Sequence, residues 1–170
     1  MFKQFQRKKQ LARYSAQLEE LIAKDYQKMY RIALSYTHQK EAALDVIQDS
    51  FQKALVNFHK LPVITDFRAW FYQILLRTAI DSWRKQKRQQ INEQMSLPET
   101  GVTQSEFSQQ ELQIVLKQLK SPEYEIILLR FFEGFQLNEI AAILNLNPNT
   151  VKTKLYRALN ELKDILEEES

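Results

Sequence analysis

Leu137-Asn138-Glu139-Ile140-Ala141-Ala142-Ile143-Leu144, then Asn145-Leu146-Asn147, then Pro148-Asn149-Thr150-Val151-Lys152-Thr153-Lys154-Leu155-Tyr156-Arg157 is the stretch that decides how this chain folds. Two short amphipathic segments flank a tight polar turn, and the second carries basic and hydrogen-bonding residues, as a helix-turn-helix that reads duplex DNA requires. Asn145 is suited to the left-handed conformation that closes the first helix, a place usually held by glycine. Pro148 pre-sets the first turn of the next helix, which makes Asn147 its natural N-cap. At about 100° per residue, Val151, Leu155, Ala158 and Leu162 fall on one side of that helix, and Asn149, Lys152, Thr153, Tyr156 and Asn160 on the other. Arg157 flanks the polar face, within reach of a base edge or a phosphate, while Lys154 points further round toward DNA backbone or solvent. A solvated face on an ordinary helical hairpin shares this charge pattern, so the rest of the chain has to discriminate.

Working outward, composition points to an almost wholly helical protein. Two glycines and four prolines in 170 residues leave few places for the turns of a sheet protein. Hydrophobic residues at 44% and charged residues at 26% suit a globular chain with a sizeable core rather than a disordered one. The net charge of +3 is modest, but basic residues concentrate at 7–9, 84–88 and 152–157, while the chain closes on Glu167-Glu168-Glu169. The absence of cysteine excludes disulfides, thiol catalysis and cysteine-ligated zinc, and agrees with a reducing compartment. No segment has the ~20 apolar residues that span a bilayer, and the N-terminus lacks the apolar core of a signal peptide, so a cytoplasmic protein with no direct membrane insertion is expected.

The chain divides into a basic N-terminal extension (1–17), an aromatic-rich helical block (18–88), a Gln/Ser/Thr/Glu-rich linker containing Pro98 and Gly101 (89–108), and a second helical block (109–170). In the first block helices are expected at about 18–36, 40–58 and 66–87, with Pro62 interrupting the last two and Asp66 capping the third. The second of these should bury Val46, Ile47, Phe51 and Leu55 and expose Asp45, Gln48, Asp49 and Gln52, a strip that suits either solvent or a basic protein partner. The third places Phe67, Trp70, Phe71, Ile74 and Thr78 along one side, beside a basic side of Gln73, Arg77, Arg84 and Arg88. Aromatic stripes at helical spacing usually form core, but Trp70 and Trp83, lying near basic residues, also suit contact with unstacked bases.

Two helical modules joined by a polar linker, with an acidic strip in the first and a helix-turn-helix in the second, resemble the extracytoplasmic-function sigma factors of bacterial RNA polymerase. The resemblance runs from about Tyr26 to Leu166. Asp45-Val46-Ile47-Gln48-Asp49-Ser50-Phe51 is similar to the family's polymerase-binding helix, and Phe67-Arg68-Ala69-Trp70-Phe71-Tyr72-Gln73-Ile74 to the start of its promoter-melting helix. Tyr124-Glu125-Ile126-Ile127-Leu128-Leu129-Arg130-Phe131-Phe132-Glu133-Gly134-Phe135, with the helix-turn-helix after it, resembles the family's fourth region nearly throughout. Asn145 and Asn147 depart from the family's usual turn, a change that bears on the approach to the groove rather than on the fold. The N-terminal extension has no assigned role in that pattern.

The resemblance implies two small all-α domains: a region 2 helical bundle and a region 4 helix-turn-helix. It implies core RNA polymerase as a partner, met by Asp45, Gln48, Asp49 and Gln52, and an anti-sigma factor as inhibitor. It assigns melted minus-10 promoter DNA to a loop of Lys60, Leu61, Pro62, Val63, Ile64, Thr65 and Asp66, with Trp70, Arg77, Thr78 and Asp81 nearby and Arg84, Lys85, Lys87 and Arg88 on phosphates. It assigns the duplex minus-35 element to Asn149, Thr150, Lys152, Thr153, Tyr156 and Arg157. No catalytic residue, metal or cofactor is implied. A helix-turn-helix repressor or activator acting without polymerase is the main rival reading. An enzyme is a weaker one, because His38 and His59 are isolated and no phosphate-cradling glycine loop is present.

Overall fold

The computed structural model describes residues 1–58, 64–93 and 114–169, and every regular element among them is helical. The chain forms two compact units, residues 1–95 and 96–170. Expected positions at Lys60, Leu61, Pro62, Val63 and His59, and most of the expected linker, lie outside the described residues.

In the first unit, α1 (Phe2–Thr37), α2 (Lys40–Asn57) and α3 (Phe67–Glu93) pack against one another as a three-helix bundle. α1 is longer than expected. Residues 2–17 are its first turns rather than a separate extension, because a Gln-, Lys- and Arg-rich stretch without glycine or proline continues a helix nucleated by the bundle. The helix ends at His38, whose left-handed conformation (φ 56°) and N–H to the Leu34 carbonyl (2.8 Å) close the last turn. The two-residue connection then turns the chain into α2 against α1.

The core between these helices is built from Leu18, Leu21, Met29, Ile32, Val46, Ile47, Phe71, Tyr72 and Leu75. On α2 the buried line is Ala43, Val46, Ile47, Ser50 and Ala54. Leu55, expected inside, is 48% exposed: it lies about 100° past Ala54, beyond the edge of that line. Ser50 is tolerated in the core because its hydroxyl donates to the Val46 carbonyl (2.7 Å). Asp66 caps α3 as expected, accepting the Ala69 N–H at 3.1 Å.

In the second unit a helical turn at 114–116 buries Val115 and Leu116. α4 (Glu123–Ile127) follows and widens into a π-helical turn (Leu128–Phe132). Gly134 ends it at φ 72°, a conformation that side chains with a Cβ rarely adopt, and the Arg130 guanidinium ties the turn by donating to the Phe135 carbonyl (3.1 Å). α5 (Leu137–Leu144) and α6 (Pro148–Glu169) complete the unit. Their common core, with α4 and the π turn, is Ile126, Leu129, Phe135, Ile140, Ile143, Val151, Leu155 and Ala158.

Candidate nucleic-acid interface

The α5–α6 hairpin follows the local chemistry read from its sequence. Gln136 and Glu139 form a reciprocal capping box at the start of α5, with the Gln136 N–H donating to Glu139 Oε2 at 2.7 Å. Asn145 adopts φ 54°, ψ 47°, and its amide and that of Leu146 both reach the Ala141 carbonyl. Asn147 Oδ1 accepts the Asn149 N–H at 2.9 Å, so the N-cap of α6 is the expected residue.

Val151, Leu155 and Ala158 are buried and Leu162 is half-buried, while Asn149, Lys152, Thr153, Tyr156, Arg157 and Asn160 are all exposed. Thr150 is half-buried at the edge. The first turns of α6 therefore present amide, hydroxyl, ammonium, phenol and guanidinium groups on one surface, and Asn149, Thr150, Thr153, Lys154 and Arg157 line an open concavity of about 260 Å³ there. The Thr153 hydroxyl donates to the Asn149 carbonyl (3.0 Å), which leaves its lone pairs and methyl group for an approaching base. Lys154, expected toward DNA backbone or solvent, instead reaches the buried Glu123 of α4 (Nζ to Oε1, 3.5 Å). It ties α6 to α4 and lines the concavity from that paired position.

The first unit carries two further surfaces. On α3, Asp66, Trp70, Arg77, Asp81, Arg84 and Arg88 follow one another at helical spacing along a single line about 33 Å long, flanked by Lys85 and Lys87. All of these are exposed except Trp70, which is half-buried against Phe58 and Phe67 with ring centroids 5.6 Å apart in each case. Thr78 departs from the expected DNA-contacting set. It is 4% exposed, donates to the Ile74 carbonyl (2.7 Å) and accepts from Lys53 Nζ (3.1 Å), so its hydroxyl is committed inside the bundle. The Lys87 ammonium sits 4.9 Å from the centre of the Trp83 ring, on the exposed part of α3.

An aromatic cluster of Tyr14, Phe58, Phe67 and Trp70 closes this end of the bundle. The Tyr14 hydroxyl accepts the Ile64 N–H at 2.8 Å, so α1 holds the chain just ahead of α3. Sequence reasoning missed this role because nothing local marks Tyr14 apart from other apolar positions of the helix.

On α2, Asp45, Gln48, Asp49 and Gln52 are exposed, as expected. The same outer face carries Leu44, Leu55 and Val56, which are 38%, 48% and 57% exposed. Large apolar groups among carboxylates are the composition of a protein-contacting surface more than of a simply solvated one. Among the described residues, no group of three or more potential metal-ligating His, Asp or Glu side chains comes together, and no helix is long and apolar enough to cross a membrane.

These surfaces occur in a recognisable order. Residues 21–89 match the model of sigma-70 region 2, and residues 109–162 match that of sigma-70 region 4. The chain belongs to the sigma-70 family. It is 39% identical over 150 residues to RNA polymerase sigma factor SigV of Bacillus subtilis, covering 87% of this chain and 90% of that protein. It is 31% identical over 157 residues to the ECF RNA polymerase sigma factor SigW of the same organism, covering 82% and 81% respectively. These relatives place it in the extracytoplasmic-function group.

Among solved structures, CnrH in complex with the cytosolic domain of CnrY matches with a TM-score of 0.71 at 21% identity, over 96% of each chain. The sigma factor RpoE of Bartonella quintana in complex with the anti-sigma factor NepR matches with a TM-score of 0.65 at 22% identity, over 89% of this chain and 97% of that one. Both show the fold. For this sigma-70 family member, the region 2 match over the first unit displaces the rival reading of a stand-alone repressor or activator.

Proposed function

We propose that this chain is a sigma factor that docks on core RNA polymerase, directs it to a set of promoters and opens them, with no nucleotide chemistry of its own. The observation that carries the reading is the pairing, in one chain, of the exposed α6 face with the mixed acidic and apolar outer face of α2. One surface suits duplex DNA and the other a protein partner.

Asn149, Lys152, Thr153, Tyr156 and Arg157, with Thr150 at the edge, read the minus-35 element in the major groove, where each good base-edge contact contributes roughly 1–3 kcal/mol of discrimination. Residues 60–66 capture an unstacked base of the minus-10 strand, whose extrusion costs a few kcal/mol and is recovered only by the right base. Arg77, Arg84, Lys85, Lys87 and Arg88 hold phosphates along α3, giving affinity and register without sequence preference. Asp45, Gln48, Asp49 and Gln52, with Leu44, Leu55 and Val56 around them, contact a basic surface of the polymerase. An inhibitor of the anti-sigma class competes for these surfaces, a reading supported by the complex of the structural neighbour RpoE with the anti-sigma factor NepR. Such a protein works in the cytoplasm, beside the polymerase.

Transcription in vitro tests the reading: purified protein with bacterial core polymerase on pooled promoter fragments, against core alone. Discrete start sites that depend on this protein are the expected result. Absence of both core binding and initiation, with duplex selection by the protein alone, would return the chain to the repressor-or-activator class.

A further inference from the structure

The first turns of α1 are a helix with no core to cover. No side chain before Tyr14 is buried, so about 20 Å of helix precedes the first buried position. The first seventeen residues carry five basic side chains, Lys3, Arg7, Lys8, Lys9 and Arg13, and no acidic one, whereas the whole chain has a net charge of only +3. Charge of one sign at this density attracts a polyanion.

Two anionic partners suit a basic helix, and its circumference separates them. A membrane-surface helix segregates an apolar face from a basic one. Here Lys9 falls between Phe2 and Phe5 at about 100° per residue, and the other cations are spread around the remaining circumference. The exposed Phe2 and Phe5 thus form an apolar strip with a cation inside it, a poor face for a bilayer, and Lys3 and Arg7 lie on the opposite side of the helix, which favours nucleic acid for that side.

The position of the helix narrows the reading further. Lys3, Arg7, Gln10 and Tyr14 follow at spacings of four, three and four along one line of α1. Gln10 Nε2 donates to the Tyr14 hydroxyl at 2.9 Å, and that hydroxyl accepts the Ile64 amide. Tyr14 also packs on Phe58, ring centroids 5.4 Å apart. The line thus begins against both Phe58 and Ile64, the described residues on either side of 59–63, and leads outward for about 16 Å to Lys3.

We propose that the Lys3–Arg7 line of α1 binds the phosphates of the promoter strand as it leaves the minus-10 segment, extending that contact beyond the region 2 module. The proposal rests on the assignment of residues 60–66 to the minus-10 strand. Electrostatic contact of this kind adds affinity and salt dependence, not base selectivity.

The test compares two variants that lose the same charge. Lys3→Gln with Arg7→Gln removes the line, and Lys8→Gln with Lys9→Gln removes two cations off it; glutamine keeps the helix. Each is assembled with core polymerase and titrated, over a range of salt concentrations, against a promoter fragment held single-stranded across the minus-10 segment. Core affinity is measured separately. The first variant should lower the slope of log K against log salt by about 1.4, the value for two phosphate contacts on a single strand, and the second by less than half as much. Equal losses from both pairs, or no loss, would overturn the proposal. So would a loss confined to core affinity, which would make the helix a polymerase contact, or binding of the wild type to anionic vesicles that the first pair abolishes while DNA binding is unchanged. If wild-type holoenzyme fails to engage any promoter, the sigma reading itself falls, an outcome distinct from a selective failure of the Lys3–Arg7 line.

Discussion

Asp25 carries a carboxylate into the first bundle, and its partners explain why that is tolerated. Oδ2 accepts from Arg68 Nε and from the Tyr72 hydroxyl, each at 2.9 Å, and the Arg68 guanidinium lies 5.7 Å from the centre of the Tyr72 ring. Arg68 and Tyr72 are one turn apart on α3, so the acid fastens α1 to α3 at a defined register. Asp25→Ala strands both donors and should cost about 2–3 kcal/mol of stability, measured as a lowered midpoint in urea, since charge-assisted buried contacts are expensive to break. Tyr72→Phe, which removes only one donor, should cost about 1 kcal/mol in the same measurement. On α6 the sequence separates Lys152 and Arg157 from the core, as the structure does, but it carries no sign that Lys154 pairs with Glu123. Lys152→Ala with Arg157→Ala should therefore reduce selectivity among promoters more than affinity for core polymerase. Equal loss on all DNA sequences would reassign the pair to phosphate contacts.

At the level of elements, the α5–α6 hairpin was legible because its signals are local: a left-handed Asn145, an Asn147 cap and a proline at the first position of α6. Asn145→Ala should destabilise the second unit by about 1 kcal/mol, because alanine resists positive φ, whereas Asn145→Gly should stay within about 0.5 kcal/mol of wild type. Thermal unfolding of the two variants separates them. The π-helical turn at Leu128–Phe132 was not legible, since its register depends on Arg130 and Gly134 closing it against Phe135. Leu55 was misplaced for a related reason. Helical periodicity gives a face, but the width of the buried line on α2 is set by where α1 and α3 lie against it. What remains outside that line, the exposed Leu44, Leu55 and Val56 among Asp45 and Asp49, is what the proposed polymerase contact uses.

For the molecule as a whole, each unit encloses its own core, so each should fold without the other. Residues 1–95 and 96–170 expressed separately are expected to keep their helicity and to unfold cooperatively by circular dichroism. Aggregation or loss of helix in either would show that the units depend on each other. Charge reversal by Asp45→Lys with Asp49→Lys should weaken binding to core polymerase at least tenfold while shifting folding stability by less than about 1 kcal/mol, since both side chains are exposed. Unchanged affinity for core would remove this face of α2 from the proposed contact.

The sequence by itself determined the helical class, the two-block division, the capping of α3 by Asp66, and the sorting of α6 into a buried and a reading face. All of these follow from residue type and periodicity within one element. Only the tertiary structure decided that Asp25 meets Arg68 and Tyr72, that Thr78 is withdrawn from the surface, that Lys154 belongs to Glu123, and that Tyr14 of α1 holds the amide of Ile64. Each of these contacts joins residues at least 25 positions apart or depends on a neighbouring helix, and the periodicity of a single helix carries no information about which side chain a second helix will bring to it.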